Sequence, residues 1–450
     1  MSTLTAAALH QRLHEAGVHT LLVQFTDVHG VAKGKLVPLA HLNEVLATGA
    51  GFAGPSIWGT GLARTGPRSE YYARGDPTTA LPLPWMPGVA RLVGDGHVDG
   101  QPFDACPRQV LRRATRRLAD KGWRLEVGIE PEFFLLKRTA QGGYAPADDH
   151  DRLDKPSYDL KSLPRQAGFL HALREALQAC GLDVLQLDHE DAHGQYEVNF
   201  AHADALASCD RLMLFKLAAQ ALAEERGMVF SMMPKPFANQ PGSGMHFHVS
   251  LWESATQGER CLFSTAQAGA LLSPLGRHFI AGVLAHAPAL TALAAPTVNS
   301  YKRLTVGASL SGTTWAPAYV AQGPNNRTAL VRTLPGRFEW RLPDAAANPY
   351  LACAGLIAAG LDGIEGQLDP GVDVTDDLFT MPLAAIRARG IGLLPQSLSE
   401  ATRALAGDNV VCAALGETLT RQFIALKSDE WTAYARHVSP WEMARYAEYF

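Results

Sequence analysis

Residues 242–250 read Gly242-Ser243-Gly244-Met245-His246-Phe247-His248-Val249-Ser250. The imidazoles alternate with Met245, Phe247 and Val249, a period of two that predicts a strand leaving a glycine loop, with both histidines on one face. Gly242 and Gly244 can take backbone angles closed to other residues, so main-chain groups can come close to a bound molecule. Such a unit suits metal-bound phosphate. Alternating histidines also occur on ordinary strands, so the chemistry depends on what the rest of the chain supplies.

It supplies carboxylates first. Glu130-Pro131-Glu132 lies in a β-rich run from Arg124 to Lys137, and residues two apart on a strand share a face. Like charges so placed repel unless a cation bridges them. The proline between them implies a strand edge or a bulge. The run Leu187-Asp188-His189-Glu190-Asp191-Ala192-His193-Gly194-Gln195-Tyr196-Glu197 packs acids and histidines too densely for a core strand. Oxygen and imidazole donors suit Mg²⁺ or Mn²⁺ rather than a thiolate metal. A cationic second half answers this acidic first half: Asn299-Ser300-Tyr301-Lys302-Arg303, then Asn326-Arg327 with Arg332, then Arg337-Phe338-Glu339-Trp340-Arg341. Arginine's planar fork matches carboxylate and phosphate oxygens. No Walker A loop is present, so phosphate handling falls to metals and arginines.

Bulk properties narrow the field. A chain of 450 residues exceeds one ordinary core. Its net charge of -4 offers no global positive field for nucleic acid or an anionic membrane. Six scattered cysteines without a C-x-x-C pair argue against a zinc site or a disulfide framework and fit a reducing cytoplasm. Neither a signal peptide nor a membrane anchor is expected.

Along the chain, Thr20 to Phe25 and the run through Val37 form a hairpin across Asp27-Val28-His29-Gly30. Gly49 to Gly61 carries too many glycines for a regular element, and Val89 to Val93 reads as a strand ending at Gly94. Residues 1–104 are therefore a small β-rich unit, and 105–450 a larger one of long helices and strands. Pro107 opens a helix whose Arg112, Arg113, Arg116 and Arg117 make a solvated face. Further helices are expected over 169–179, 206–226, 273–293 with a break at Pro288, and 348–361.

Taken together, Glu130-Pro131-Glu132, His189-Glu190, Gln195-Tyr196-Glu197, the Gly242 to His248 stretch, Asn299 to Leu304, Asn326-Arg327 and Arg341 to Tyr350 resemble the glutamine synthetase superfamily across nearly the whole chain. Within it the chain is most similar to the type III branch that includes γ-glutamylmethylamide synthetases. The resemblance implies an α+β fold: an N-terminal β-grasp-like domain, then a catalytic domain with a curved antiparallel sheet. It implies hexameric rings or dodecamers with active sites between subunits. It puts Glu132, Glu190 and Glu197 on one metal ion and Glu130, His246 and Glu339 on another. It assigns His248, Ser250 and Arg337 to the nucleotide. Arg303, Arg341 and Gly242 would bind glutamate, and Arg327 and Arg332 the transferring and leaving phosphates. A carboxylate is a poor electrophile, so ATP would first convert the γ-carboxyl of L-glutamate into an acyl phosphate, which an amine then attacks.

Two departures bear on the amine. Ammonia-using members carry an acid where this chain has Ala53, in Phe52-Ala53-Gly54-Pro55-Ser56, and another six positions after Arg303, at Ser309. Loss of both acids favours a small alkylamine, with Tyr158, Ser56 and Glu190 left as amine-site candidates. Alternatives are ammonia, a polyamine reached past Trp58 and Trp315, or a non-catalytic homologue. Phe379 stands where bacterial type I enzymes carry an adenylylated tyrosine, so that control is expected to be absent.

Overall fold

The computed structural model describes residues 5–254, 259–306 and 315–450. Among these, seven strands form one sheet, of which five make the spine: β1 (Thr20–Thr26), β2 (Ala32–Pro38), β3 (Ala50–Ala53), β4 (Glu70–Gly75) and β5 (Val89–Val98). The order is β2-β1-β5-β4-β3. β1 and β5 run parallel at the centre, and each has an antiparallel neighbour outside it. The hairpin stands as expected. Two glycine readings do not. Ala50–Ala53 is a strand, held by β4 through Ala50↔Ala73 to Ala53↔Glu70. β5 runs on through Gly94, where a Cβ would lie 2.7 Å from that of Ala73. Glycine there permits close strand approach instead of ending the strand.

After helix α1 (Pro107–Ala119), a ten-stranded sheet is built around β6 (Trp123–Arg138). The hairpin β7 (Val184–His189) and β8 (Gln195–Phe200) pairs on one side of it. On the other lie β9 (Met245–Glu253), and then β11 (Arg337–Trp340) beside β10 (Val331–Leu334). All of these pairs are antiparallel. Pro131 therefore sits in a central strand, not at an edge. It lies where the β9 ladder stops, at Met245↔Pro131, and the β8 ladder starts, at Glu197↔Glu132, so neither ladder needs its missing N–H.

Helices back the sheet. α2 (Ala205–Glu224) packs on β6, and the apolar α3 (Pro349–Glu365) is buried along nearly its whole length. Pro349 at the first turn and the Asn348 side chain, which accepts from the Tyr350 and Leu351 amides, start α3. The same Asn348 donates to the Asp27 carbonyl at 2.9 Å, which ties the first sheet's turn to the second unit. The helical break expected at Pro288 falls at His286, between Pro274–Ala285 and Ala287–Ala294, so Pro288 sits in the first turn of the second helix, where it is tolerated.

The basic face of α1 departs most from expectation. Arg112 pairs with Asp76 and Asp95, and Arg108, 3% exposed, is the larger omission. Its guanidinium donates to Asp210 at 2.7 and 3.0 Å, to Asp95 at 2.8 Å and to Asp76 at 3.0 Å, while the Tyr350 hydroxyl donates to Asp210 at 2.7 Å. One buried fork thus joins β4, β5 and α2. Removing one partner of such a cluster leaves charge uncompensated. Arg108→Met is expected to destabilise the protein by roughly 3–5 kcal/mol, measured by denaturant unfolding; a loss near zero would contradict the junction's role.

Candidate functional site

Sheet register alone assembles the site. Asp188 faces Glu197 across the β7–β8 ladder, and Glu197 faces Glu132 across the next. Glu130 faces His246, while His248 faces Glu339, which in turn faces Arg332. Opposed side chains on one sheet face are close neighbours. Four strands of acids and imidazoles therefore meet strands of arginines on a single surface.

The charges are distributed unevenly across it. Glu339 is 1% exposed, and burial alone would raise its carboxyl. Instead Arg341 and Arg332, both donating to it, bring it down to about 2. Among the described residues, no cationic side chain donates to the acids on the opposite side of the cleft. Burial, together with neighbouring carboxylates, pushes Glu190 and Glu197 well above the usual carboxylate range. Burial raises Glu132 to about 7 despite Arg303, and burial with Glu130 raises Asp188 to about 6. Burial also drives His246 well below its ordinary value, so its ring is neutral and free to act as a ligand.

Ligand atoms converge in two groups, each within 4.8 Å: Glu130, His248 and Glu339, and Asp188, Glu190 and Glu197. This grouping differs from the expected one on two counts. His248 joins the first group because its Nε2 lies 3.1 Å from Glu130, while His246 keeps a 3.3 Å contact to Glu339. Asp188 joins the second because the Glu132 carboxylate is already taken, accepting from the Gly244 amide and the Gln195 side chain, both at 2.8 Å. The donor set fits hard divalent cations: carboxylate oxygens and imidazole, no thiolate. Buried Oδ1 atoms of Asp188 and Asn199 also meet no donor among the described residues.

Three chambers follow the sheet face. The acidic one, about 660 Å³, is lined by both ligand groups with Arg327, Arg332, Arg337 and Tyr158. On one side, a smaller pocket is lined by Gly242, Gly244, Arg303, Lys235 and Trp315. On the other, a 480 Å³ cavity is lined by His248, Ser250, Trp252 and Arg337. Arg303 is buried, and its guanidinium donates to the Leu342 carbonyl at 3.2 Å. Arg341 donates to the Trp315 carbonyl at 3.1 Å. Gly242 and Gly244 do not adopt left-handed backbone. What they provide is space: a Cβ on Gly244 would lie 2.9 Å from the side chains of Arg303, Glu132 and His246.

The remaining expected residues are placed less centrally. Tyr158 is 67% exposed with φ of 62°, its amide bonded to the His189 carbonyl. Ala53 and Ser56 are exposed beside the first sheet and line none of these chambers. Ser309 lies outside the described residues. Asp188, Asn199 and Asp191 were not singled out as site residues from sequence. The signal existed, since Asp188 is two positions from Glu190 and Asn199 two from Glu197, the spacing that marked Glu130 and Glu132.

The pattern that defines the glutamine synthetase catalytic domain matches residues 104–446. Over 449 residues the chain is 47% identical to a Methyloversatilis universalis protein named glutamate–methylamine ligase, covering 99% of this chain and 100% of that one. It is 37% identical over 429 residues to a glutamine synthetase of Rhizobium leguminosarum bv. phaseoli, covering 95% and 96%. A solved structure of GmaS in complex with ADP superposes with a TM-score of 0.91 at 38% identity over 100% of both chains.

The space at Gly244 gives a direct test. A methyl there displaces only the ends of flexible side chains, so Gly244→Ala is expected to keep the wild-type melting temperature. Mn²⁺ affinity, followed by calorimetric titration, is expected to fall roughly tenfold or more as Glu132 and His246 shift. Unchanged affinity would contradict the floor assigned to this glycine.

Proposed function

The chain belongs to the glutamine synthetase family, and from this premise we propose that it ligates the γ-carboxyl of L-glutamate to a small alkylamine of the methylamine class, at the expense of ATP. The observation that carries the reading is the single sheet face on which two ligand groups lie between a pocket walled by buried arginine and a larger cavity at His248. The relative named glutamate–methylamine ligase supports the choice of amine, as does Ala53 in place of an acid.

Enzymes of this family use ATP and divalent metals. Here Glu130, Glu132, Glu190, Glu197, His246 and Glu339 would hold two or more Mg²⁺ or Mn²⁺ ions, whose chemistry is to neutralise phosphate charge and polarise the bond to be broken. Arg303 and Arg341 bind the α-carboxylate end of glutamate, and the Gly242 carbonyl accepts from its amino group. The γ-carboxyl is thereby aimed at the acidic chamber. His248, Ser250, Arg332 and Arg337 orient the nucleotide from the far side.

A γ-carboxylate oxygen attacks the terminal phosphorus of ATP, the bond to the β-phosphate oxygen breaks, and γ-glutamyl phosphate and ADP result. Arg327 faces the phosphoryl group in flight and offsets the charge on its equatorial oxygens. The amine nitrogen then attacks the carbonyl carbon of the acyl phosphate and phosphate leaves with the C–O electron pair. Glu190 lines both the acidic chamber and the arginine-walled pocket. With Tyr158 it binds the incoming ammonium form and takes up a proton before attack. Ala53 and Ser56 shape the amine pocket, where one extra methyl in apolar contact contributes about 1 kcal/mol.

Since Ala53 and Ser56 lie away from the chambers of their own chain, the reading assigns them to a neighbouring subunit. The unit of residues 1–104 of one subunit closes the site in residues 105–450 of the next, in a hexameric ring or dodecamer. Among the described residues no helix is long and apolar enough to cross a membrane, and we place the enzyme in the cytoplasm.

Initial rates with methylamine, ethylamine, ammonium and putrescine test the assignment. Methylamine or ethylamine is expected to give the highest kcat/KM, and Arg341→Lys to raise the KM for glutamate at least tenfold while sparing that for ATP (~1.4 kcal/mol). Ammonium giving much the best kcat/KM would overturn the alkylamine assignment.

A further inference from the structure

Asp188 is the acid at this face that the mechanism above leaves unused. Its carboxylate belongs to the second ligand group, in which oxygen atoms of Asp188, Glu190 and Glu197 all lie within 4.8 Å of one another. Ligands about 2.1 Å from one small octahedral ion are separated by roughly 3 to 4 Å, so three oxygens in that volume can share an ion after small rotations. The sheet fixes this proximity: Asp188 is the direct cross-strand partner of Glu197.

Hydrogen bonding distinguishes the unpartnered acids from Glu132. Glu132 is satisfied by the Gly244 amide and the Gln195 side chain. Glu197, only 8% exposed, has no hydrogen bond or ion pair among the described residues. The Oδ1 atom of Asp188 is buried and likewise meets no donor among them. Two acids facing each other in this state repel, and a buried carboxylate without a partner is costly. One cation between them removes both penalties. Asp188 lines the acidic chamber together with Glu130, Glu190 and Glu197.

We infer that Asp188 is a metal ligand in this chain, sharing one ion with Glu190 and Glu197. The inference rests on the reading of the cleft as a divalent-metal centre. It adds one negative charge to that centre, which strengthens its hold on the ion before nucleotide arrives.

The test uses the full-length protein without nucleotide, titrated with Mn²⁺ while the free ion is followed by electron paramagnetic resonance, alongside thermal melts with and without Mn²⁺. Asp188→Asn is expected to weaken one class of Mn²⁺ site roughly 10- to 100-fold. It is also expected to raise the melting temperature of the metal-free protein, because a repulsion is removed, and to shrink the Mn²⁺-induced rise. Glu190→Gln serves as the reference variant. If Glu190→Gln loses Mn²⁺ affinity while Asp188→Asn binds as the wild type does, the Asp188 assignment is overturned and the metal centre stands. If neither variant weakens binding, the metal-centre reading itself fails. A lower metal-free melting temperature for Asp188→Asn would show a structural role and would also overturn the inference.

Discussion

Mutual repulsion among buried carboxylates is the constraint from which the rest of this site follows. Sheet pairing places Asp188, Glu197 and Glu132 side by side on adjacent strands, with Glu130 and Glu190 close by. No fold keeps such a row out of water without compensation. Arg332 and Arg341 compensate Glu339 on one side, and amide donors compensate Glu132. Across the rest of the cleft no described residue does so, which burial expresses by raising Glu190, Glu197 and Asp188 and which the proposed cations would relieve. Neutral His246 suits the same end, because a protonated ring would oppose an ion that the acids attract.

This asymmetry also orders the chemistry. In the proposed reaction the buried Arg303 and Arg341 would meet the substrate carboxylates, their charge in place beforehand and needing little rearrangement as charge moves. The chambers lie in sequence along one sheet face, so in the proposed reaction a carboxylate and a phosphate would meet from opposite sides of the two ligand groups. The rigidity of that face comes from the packing beneath it. α3 and α2 are buried against the sheet, and the Arg108 fork holds the first sheet's strands to α2.

Much of this was legible in the sequence, wherever side chains obey a short period. His246 and His248, like Glu130 and Glu132, are two apart and share a face as that spacing requires. The hairpin over Thr20–Pro38 and the buried helix after Asn348 were legible for the same reason, since turn residues and unbroken apolar runs are local signals. The failures were non-local. Pro131 looked like an edge because no reading of one strand can tell that two ladders change over at that residue. Arg112 looked like part of a solvated face, and Arg108 on the same helix went unremarked, because their partners Asp76, Asp95 and Asp210 come from three distant segments. Glycines misled in both directions: Ala50–Ala53 forms a strand despite its neighbours, and Gly244 matters for the side chains crowding it, not for an unusual backbone angle. Asp188 carried the period-two signal but followed no expected motif.

The most direct measurement is anomalous diffraction from crystals of the protein grown with Mn²⁺ and ADP. The account predicts two peaks or more in the cleft, one within about 2.4 Å of oxygens from Glu190 and Glu197, another at the same range from Glu130 and Glu339 with an imidazole between. A cleft with ordered ADP and no peak between these carboxylates, the acids instead bonded to one another or to water, would contradict it.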